Sequence, residues 1–276
     1  MREILKNSTN FLFRRQNGIL SAAFVIAVTY GLSSVMGLVR TRLLISYFFG
    51  SQANLLDVYY AAFLIPDTIF QLLVIGALSA AFIPTFTRIL NKDETQAWAM
   101  ASTTINLVLV VFALVAATIF VFAWPMSRLI APGFSLAQTQ TMVLLLRIML
   151  GAQLFFSVSG FLTGILQSHQ RFLIPALAPL MYNLGIILGT VFLSGHFGIL
   201  GPTLGVVLGA VLHMIIQLPL AYKLGLRFTT SLNFNLSGVR EVITHMPARA
   251  LTLGIDQIEQ YVAVFLTSLL SVGSLS

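Results

Sequence analysis

The sequence predicts an all-α, polytopic transmembrane helix bundle of about seven spans. Two observations lead to that fold class. The 276-residue chain is 58% hydrophobic and only 8% charged, with a mean hydropathy of +0.94, whereas soluble domains carry about 25% charged residues. Its apolar residues also gather into runs, and about 20 such residues suffice for a helix to cross a bilayer. The runs place spans at 19–39, 56–87, 97–127, 139–166, 172–194, 198–222 and 242–272.

Each span has its own local reason. Residues 1–18 hold Arg2, Lys6, Arg14 and Arg15, and an apolar run from Ile19 to Val39 follows. That run is longer than the apolar part of a signal peptide, and no small-x-small cleavage site precedes Arg40, so it reads as a retained first transmembrane helix. The second span contains Pro66 and Pro84. Pro66 is expected to kink it, because proline lacks the backbone donor and crowds the preceding turn. The fifth and sixth spans carry Gly185, Gly189, Gly201, Gly205 and Gly209 at four-residue spacing, a pattern that lets helix backbones approach closely. A polar stretch at 227–240 reads as a loop before the last span.

The net charge is +7, yet the basic residues punctuate apolar runs instead of forming a patch. This argues for membrane lipids as surroundings and against a nucleic acid partner. With the N-terminus inside, the inner segments hold ten basic residues, from Arg2, Lys6, Arg14 and Arg15 through Arg88, Lys92, Arg171, Lys223 and Arg227 to Arg240. The outer segments hold Arg40, Arg42 and Arg128. Cytoplasmic loops are enriched in Lys and Arg, so the N-terminus is expected in the cytoplasm. Disulfide and thiol chemistry are excluded because there is no cysteine. No HExxH, P-loop or GxSxG motif occurs, and His169, His196, His213 and His245 show no metal-ligand spacing. The chain therefore reads as a non-enzyme with no cofactor and no catalytic or metal residues.

Three constellations carry polar chemistry into the apolar spans. On the first, Thr29, Ser33, Gly37, Arg40 and Thr41 share a helix face, with Arg42 just beyond. These arginines either snorkel at the interface or present the planar fork that suits a pyrophosphate. On the second, Asp57, Leu64, Asp67 and Gln71 fall on one arc; Asp67 either caps a helix restarted after Pro66 or faces a cavity. On the last span, Arg249, Thr252, Asp256, Glu259 and Gln260 form a stripe with Gln257 at its edge. Each ionisable group near mid-bilayer costs roughly 2.5–3.5 kcal/mol on insertion scales, so the stripe faces either an ion-pair network or the wall of a watery cavity.

The run Gly37-Leu-Val-Arg40, then Phe49-Gly50, Asp57, 62–66 (Ala-Phe-Leu-Ile-Pro) and 76–84 (Gly-Ala-Leu-Ser-Ala-Ala-Phe-Ile-Pro) resembles the MviN/MurJ family of lipid II flippases, in the multidrug/oligosaccharidyl-lipid/polysaccharide exporter superfamily. The likeness continues in 131–134 (Ala-Pro-Gly-Phe), in 166–179 and from His245-Met-Pro247 to Gln257. The resemblance implies the N-terminal lobe of a two-lobe carrier. Such a carrier moves an undecaprenyl-pyrophosphate-linked glycan, lipid II, across the bacterial cytoplasmic membrane by alternating access. In it Arg40 matches the motif arginine, Asp57 the acid before Ala-Phe, and Gln257 a polar position of helix seven. Three positions depart from the family pattern: Thr41 stands where an acid is usual, Ser34 where an arginine is usual, and the stretch after Pro66 lacks an arginine. The cavity is thus expected to be less cationic, with Arg42 and Arg249 as compensating charges. The candidate substrate-binding residues are Arg40, Arg42, Asp57, Asp67, Arg249, Asp256, Gln257 and Glu259.

The implied organisation is a cytoplasmic segment at 1–18, a six-helix lobe at 19–225, a cytoplasmic linker at 226–241 and the first helix of a second lobe at 242–276. A two-lobe carrier has about twice as many helices, so a second chain supplying the remaining helices is one expectation and a fragment the other. Alternatives on the same fold are a flippase for another polyprenyl-linked glycan and a multidrug or cation antiporter. A different class is an inactive fragment or non-transporting membrane partner. A membrane glycosyl- or acyltransferase would need its acids or histidines clustered at one membrane face, and here they are spread along the chain.

Overall fold

The structure, a computed structural model, describes residues 19–50, 52–230, 232–270 and 273–275. The segment 1–18, with its four basic residues, lies outside the described residues. The described residues form an all-helical bundle: α1 (Ile19–Phe48), α2 (Ala53–Phe70), α3 (Ile83–Leu90), α4 (Glu94–Val121), α5 (Ala123–Ile130), α6 (Leu136–Ser168), α7 (Leu173–Leu188), α8 (Ser194–Phe197), α9 (Leu200–Ile215), α10 (Leu218–Lys223) and α11 (Ser237–Ser268). Among the described residues six helical stretches are long and apolar enough to cross a membrane: 23–48, 53–75, 94–121, 136–168, 173–197 and 200–223. The seventh, α11, has 32 residues, about 48 Å at 1.5 Å per residue. Its length suffices, but its charged and amide residues keep it below the hydropathy of the other six.

Several boundaries differ from the sequence reading. α1 continues nine residues beyond Val39, because Arg40-Thr-Arg-Leu-Leu-Ile-Ser-Tyr-Phe contains no helix breaker and its apolar side chains pack inward. Leu44 and Phe48 are almost fully buried. Arg40 therefore sits inside a helix, not at its end. The α pattern of α2 runs unbroken through Pro66 to Phe70. The irregularity comes later, as two π turns at Gln71–Ile75 and Leu78–Phe82. Asp67 is accordingly an interior residue of α2, and its role as a cap is corrected. Pro84 stands in the first turn of α3, where its missing N–H costs nothing. The 97–127 span is interrupted at Phe122, just before Pro125, and α11 begins at Ser237, inside the stretch expected as linker.

Starts of helices follow their caps. The Asp93 carboxylate accepts from Gln96 N at 3.0 Å at the start of α4, and Ser135 with Gln138 forms a reciprocal capping box at the start of α6. α7 and α9 pack backbone against backbone. A Cβ on Gly205 would lie 2.8 Å from Gly185 O and from Ile186 Cα; only glycine permits that approach.

The core has two main parts. One gathers Leu44, Tyr59, Phe112, Met142 and Leu145 from α1, α2, α4 and α6. The other gathers Phe82, Phe86, Trp98 and Phe161 nearer the opposite membrane face. α11 lies along both, contributing Val264 to the first and Val239 and Val242 to the second.

Candidate functional site

A cavity of about 460 Å³ opens between α1, α2, α7 and α11. Its walls include Arg40 and Leu44 from α1, Tyr60 and Asp67 from α2, Tyr182 from α7, Gln260 from α11, and Leu275. Arg40 is its cation and Asp67 its acid. Among the described residues these two form no ion pair with one another.

Arg40 is positioned by a residue that sequence reasoning missed. Its Nη1 donates to Asn183 Oδ1 at 3.1 Å, while Asn183 Nδ2 donates to Ser33 O at 3.3 Å and lies 3.4 Å from Ser33 Oγ. Asn183 thus ties α7 to α1 and holds the guanidinium at the cavity wall. Arg40 Nε, buried, has no hydrogen-bond partner in the protein. A buried guanidinium donor without an acceptor is costly. A signal existed in the sequence: Asn183 is a lone amide in the apolar run Leu-Met-Tyr-Asn-Leu, and such residues bond between membrane helices. The polar stripe of α1 is, in its first half, a packing face. Thr29 is buried and its hydroxyl donates to Val25 O at 2.6 Å.

The other predicted residues scatter. Asp67 lines the cavity, with the Gln71 amide one turn on as a hydrogen-bond partner. Gln257 is buried, and its Oε1 accepts from Thr68 Oγ1 at 3.2 Å, which clips α11 to α2 beside Asp67. Asp57 is buried at the start of α2. Its carboxylate accepts from Gly273 N at 2.6 Å and Leu275 N at 3.2 Å, so it fixes the segment whose Leu275 forms one cavity wall. Arg42 is exposed and does not line the cavity.

Arg249, Asp256 and Glu259 are exposed on α11 and, among the described residues, form no ion pair. The expected network on this stripe is not formed, because α11 packs through the face of Gln257, Val264 and Ser268 and leaves the stripe outward. The stripe reaches the cavity only through Gln260.

Two further polar features lie outside the cavity lining. Arg147, deep in α6, donates from Nε to Phe120 O at 3.1 Å and lies 4.6 Å from the Phe120 ring centroid. Its charge meets a carbonyl in the last turn of α4, beside the interruption at Phe122. His213 of α9 lies 2.6 Å from Ser159 Oγ of α6, and Gln217 Nε2 donates to the same oxygen at 2.7 Å. His213 is therefore an interhelical clamp, as its apolar surroundings in the sequence suggested. Among the described residues no cluster of three His, Cys, Asp or Glu side chains is placed to hold a metal ion.

The described residues thus form a multi-pass helical bundle with an arginine held at the wall of a cavity between its helices. A family model described as Lipid II flippase MurJ matches residues 45–276, and the chain belongs to that family, a family of transporters. A probable lipid II flippase MurJ of Borreliella burgdorferi is 28% identical over 94% of this chain and 50% of its own length. The lipid II flippase MurJ of Burkholderia cenocepacia is 31% identical over 89% of this chain and 49% of its own. The chain spans about half the length of the curated relatives it matches. A solved structure of lipid II flippase MurJ in an inward closed conformation has the same fold, with a TM-score of 0.74 at 24% identity, over 91% of this chain and 52% of the other. An outward-facing multidrug resistance MATE family transporter shares it less closely, with a TM-score of 0.62 at 17% identity over 92% and 55%.

Proposed function

We propose that this chain supplies the N-terminal half of a carrier that flips lipid II, a polyprenyl-pyrophosphate-linked peptidoglycan precursor, from the cytoplasmic to the outer leaflet without a catalytic step. Arg40 carries this reading. Its guanidinium lines the cavity and is held there by Asn183, a placement suited to a pyrophosphate oxygen. Asp67, Gln260 and the tyrosine hydroxyls of Tyr60 and Tyr182 offer polar partners for the sugar. Asp57 acts as a latch: release of its bonds to Gly273 and Leu275 frees one wall of the cavity. The six-helix lobe at 19–225 and a second lobe that begins with α11 (Ser237–Ser268) are the two bodies that rock around this site, with the remaining helices supplied in cis or by a second chain.

The experiment joins this chain to the C-terminal helices of a matched relative in a strain depleted of its own flippase. Arg40→Ala is expected to abolish growth at normal protein level. Arg40→Lys should restore part of it, since charge survives but the paired fork does not. Normal growth with Arg40→Ala would overturn the assignment. The N-terminus is placed in the cytoplasm on the basic asymmetry of the loops; a cysteine at Gln140, exposed near the start of α6, should then label from outside intact cells, and labelling only after permeabilisation would reverse the orientation.

Asp67 supports a second reading, a cation or drug antiporter on the same fold, because a carboxylate at the cavity wall suits a cation. Absence of lipid II flipping by the joined wild-type chain, together with cation-dependent drug efflux that Asp67→Asn abolishes, would favour that reading.

A further inference from the structure

We propose that the hollow between the start of α4 and the linker after α10 binds the headgroup of a zwitterionic phospholipid, its ammonium on Glu94 and its phosphate on Arg227. The hollow, of about 300 Å³, is lined by Glu94, Thr95, Trp98, Ala99, Arg227 and Thr229.

Depth places it among headgroups. α4 has 28 residues, about 42 Å at 1.5 Å per residue, against a hydrocarbon core of about 30 Å. Roughly one turn must therefore project beyond the core at each end, and Glu94 and Thr95 begin the projecting turn. Trp98, one turn further in, is buried against Phe86 and His169.

The linker is pinned there by α4. Ser102 Oγ donates to Arg227 O at 3.1 Å and accepts from Thr229 N at 3.2 Å. Asn106 Nδ2 donates to Thr229 O at 2.7 Å, and Asn233 N reaches Thr103 Oγ1 at 3.5 Å. Phe228, Leu232 and Phe234 on this pinned linker remain exposed. Three exposed apolar side chains on a segment whose backbone is tied to α4 suit contact with lipid, not water. Gly225, at a φ of +91°, brings the linker over Glu94: a Cβ there would lie 3.1 Å from Glu94 Oε1, so the absence of a side chain keeps the hollow open.

Its charges fit a zwitterion. Trp98 Nε1 donates to Glu94 Oε1 at 3.3 Å, which orients the carboxylate. Glu94 and Arg227 line the same hollow, and among the described residues they form no ion pair with one another. An ammonium and a phosphate joined by a short chain would satisfy both, while the first carbons behind them would lie on the Trp98 ring and Ala99. An anionic headgroup would satisfy Arg227 alone and face Glu94 unfavourably. This inference rests on the membrane fold and not on the proposed flipping.

The test is native mass spectrometry of the detergent-purified chain, exchanged into mixed micelles with equal amounts of phosphatidylethanolamine and phosphatidylglycerol. The wild type is expected to retain phosphatidylethanolamine about tenfold over phosphatidylglycerol, the scale of one charge-assisted hydrogen bond. Glu94→Gln should abolish the preference, Arg227→Gln should lower retention of both lipids, and Ala99→Trp should fill the hollow and displace both. Circular dichroism of each variant confirms the fold; if Arg227→Gln loses it, the other two variants decide. Equal retention of the two lipids by the wild type, or a preference unchanged in Glu94→Gln, would overturn the proposal. Displacement of the lipid by an equal concentration of glycerophosphoethanolamine would overturn the lipid as ligand and leave a soluble zwitterion.

Discussion

The α7–α9 contact and the α11 helix solve opposite problems with glycine. Between α7 and α9 the glycines 185, 189, 201, 205 and 209 bring two backbones together, and an added Cβ would meet backbone atoms. In α11, Gly254 faces only Leu72 Cδ2, 3.6 Å from a Cβ position. The first contact is a rigid seam within the lobe. The second is a helix fixed on one face and open on the others, with Arg249, Asp256 and Glu259 outward on one side and Leu251, Ile255 and Ile258 outward on another. The lesson is that glycine density marks packing only where a partner backbone lies opposite. A single chain can hold a fixed seam and a helix suited to moving against it.

The largest expected effect breaks the seam. Gly205→Leu should destabilise the lobe by about 3 kcal/mol or prevent folding, because neither Gly185 O nor the Ile186 backbone can yield easily. Gly254→Ala should stay within about 0.5 kcal/mol of the wild type. Unfolding of the detergent-solubilised protein measures both, and similar losses at the two sites would erase the contrast.

Next comes the bond that joins the seam to the cavity. Asn183→Leu removes the acceptor of Arg40 and should cost roughly 2 kcal/mol, the scale of a hydrogen bond to a charged group. A change below about 0.5 kcal/mol would mean that the guanidinium finds water or another acceptor. Its counterpart on α11 is weaker: Gln257→Leu loses the Thr68 bond and should cost about 0.6 kcal/mol, the average for interhelical bonds in membranes. If Gln257→Leu proved the more damaging, α11 would be the better anchored of the two regions.

The smallest effect lies where α11 meets α3 outside the membrane. Arg88 Nη1 lies 3.3 Å from Glu241 Oε1, with an ion pair between the same side chains. Hydrogen bonding from Arg88 holds the Glu241 carboxyl below the usual carboxylate range. With the folded value depressed, the contribution is present above the unfolded value of about 4.3 and disappears as pH falls through the lower, folded value. Wild type and Glu241→Gln should therefore melt slightly apart at neutral pH and together in strong acid. Arg88 is exposed and Glu241 partly so, and the separation should be small. A difference that grows on acidification would reverse the sign.

The membrane class, the six apolar spans and the glycine seam were legible in the sequence, because bilayer thickness fixes the length of a span and close helix approach demands small residues wherever it occurs. The motif Gly37-Leu-Val-Arg40, read through the family resemblance, pointed to an arginine that lines the cavity. The end of α1 was not legible. An arginine ends an apolar run by composition, but the helix continues when a partner such as Asn183, 143 residues away, takes up the charge. Nor could the sequence say which of three polar stripes meets the cavity. Helical periodicity gives the angle of each side chain about its own axis, while the rotation of α11 against α2 was decided by Gln257 meeting Thr68 and by Gly76 lying against Ala250. Those contacts turn Gln260 toward Arg40 and leave Arg249, Asp256 and Glu259 outside. Spacing along one chain fixes which residues share a face, and only packing between helices fixes where that face points.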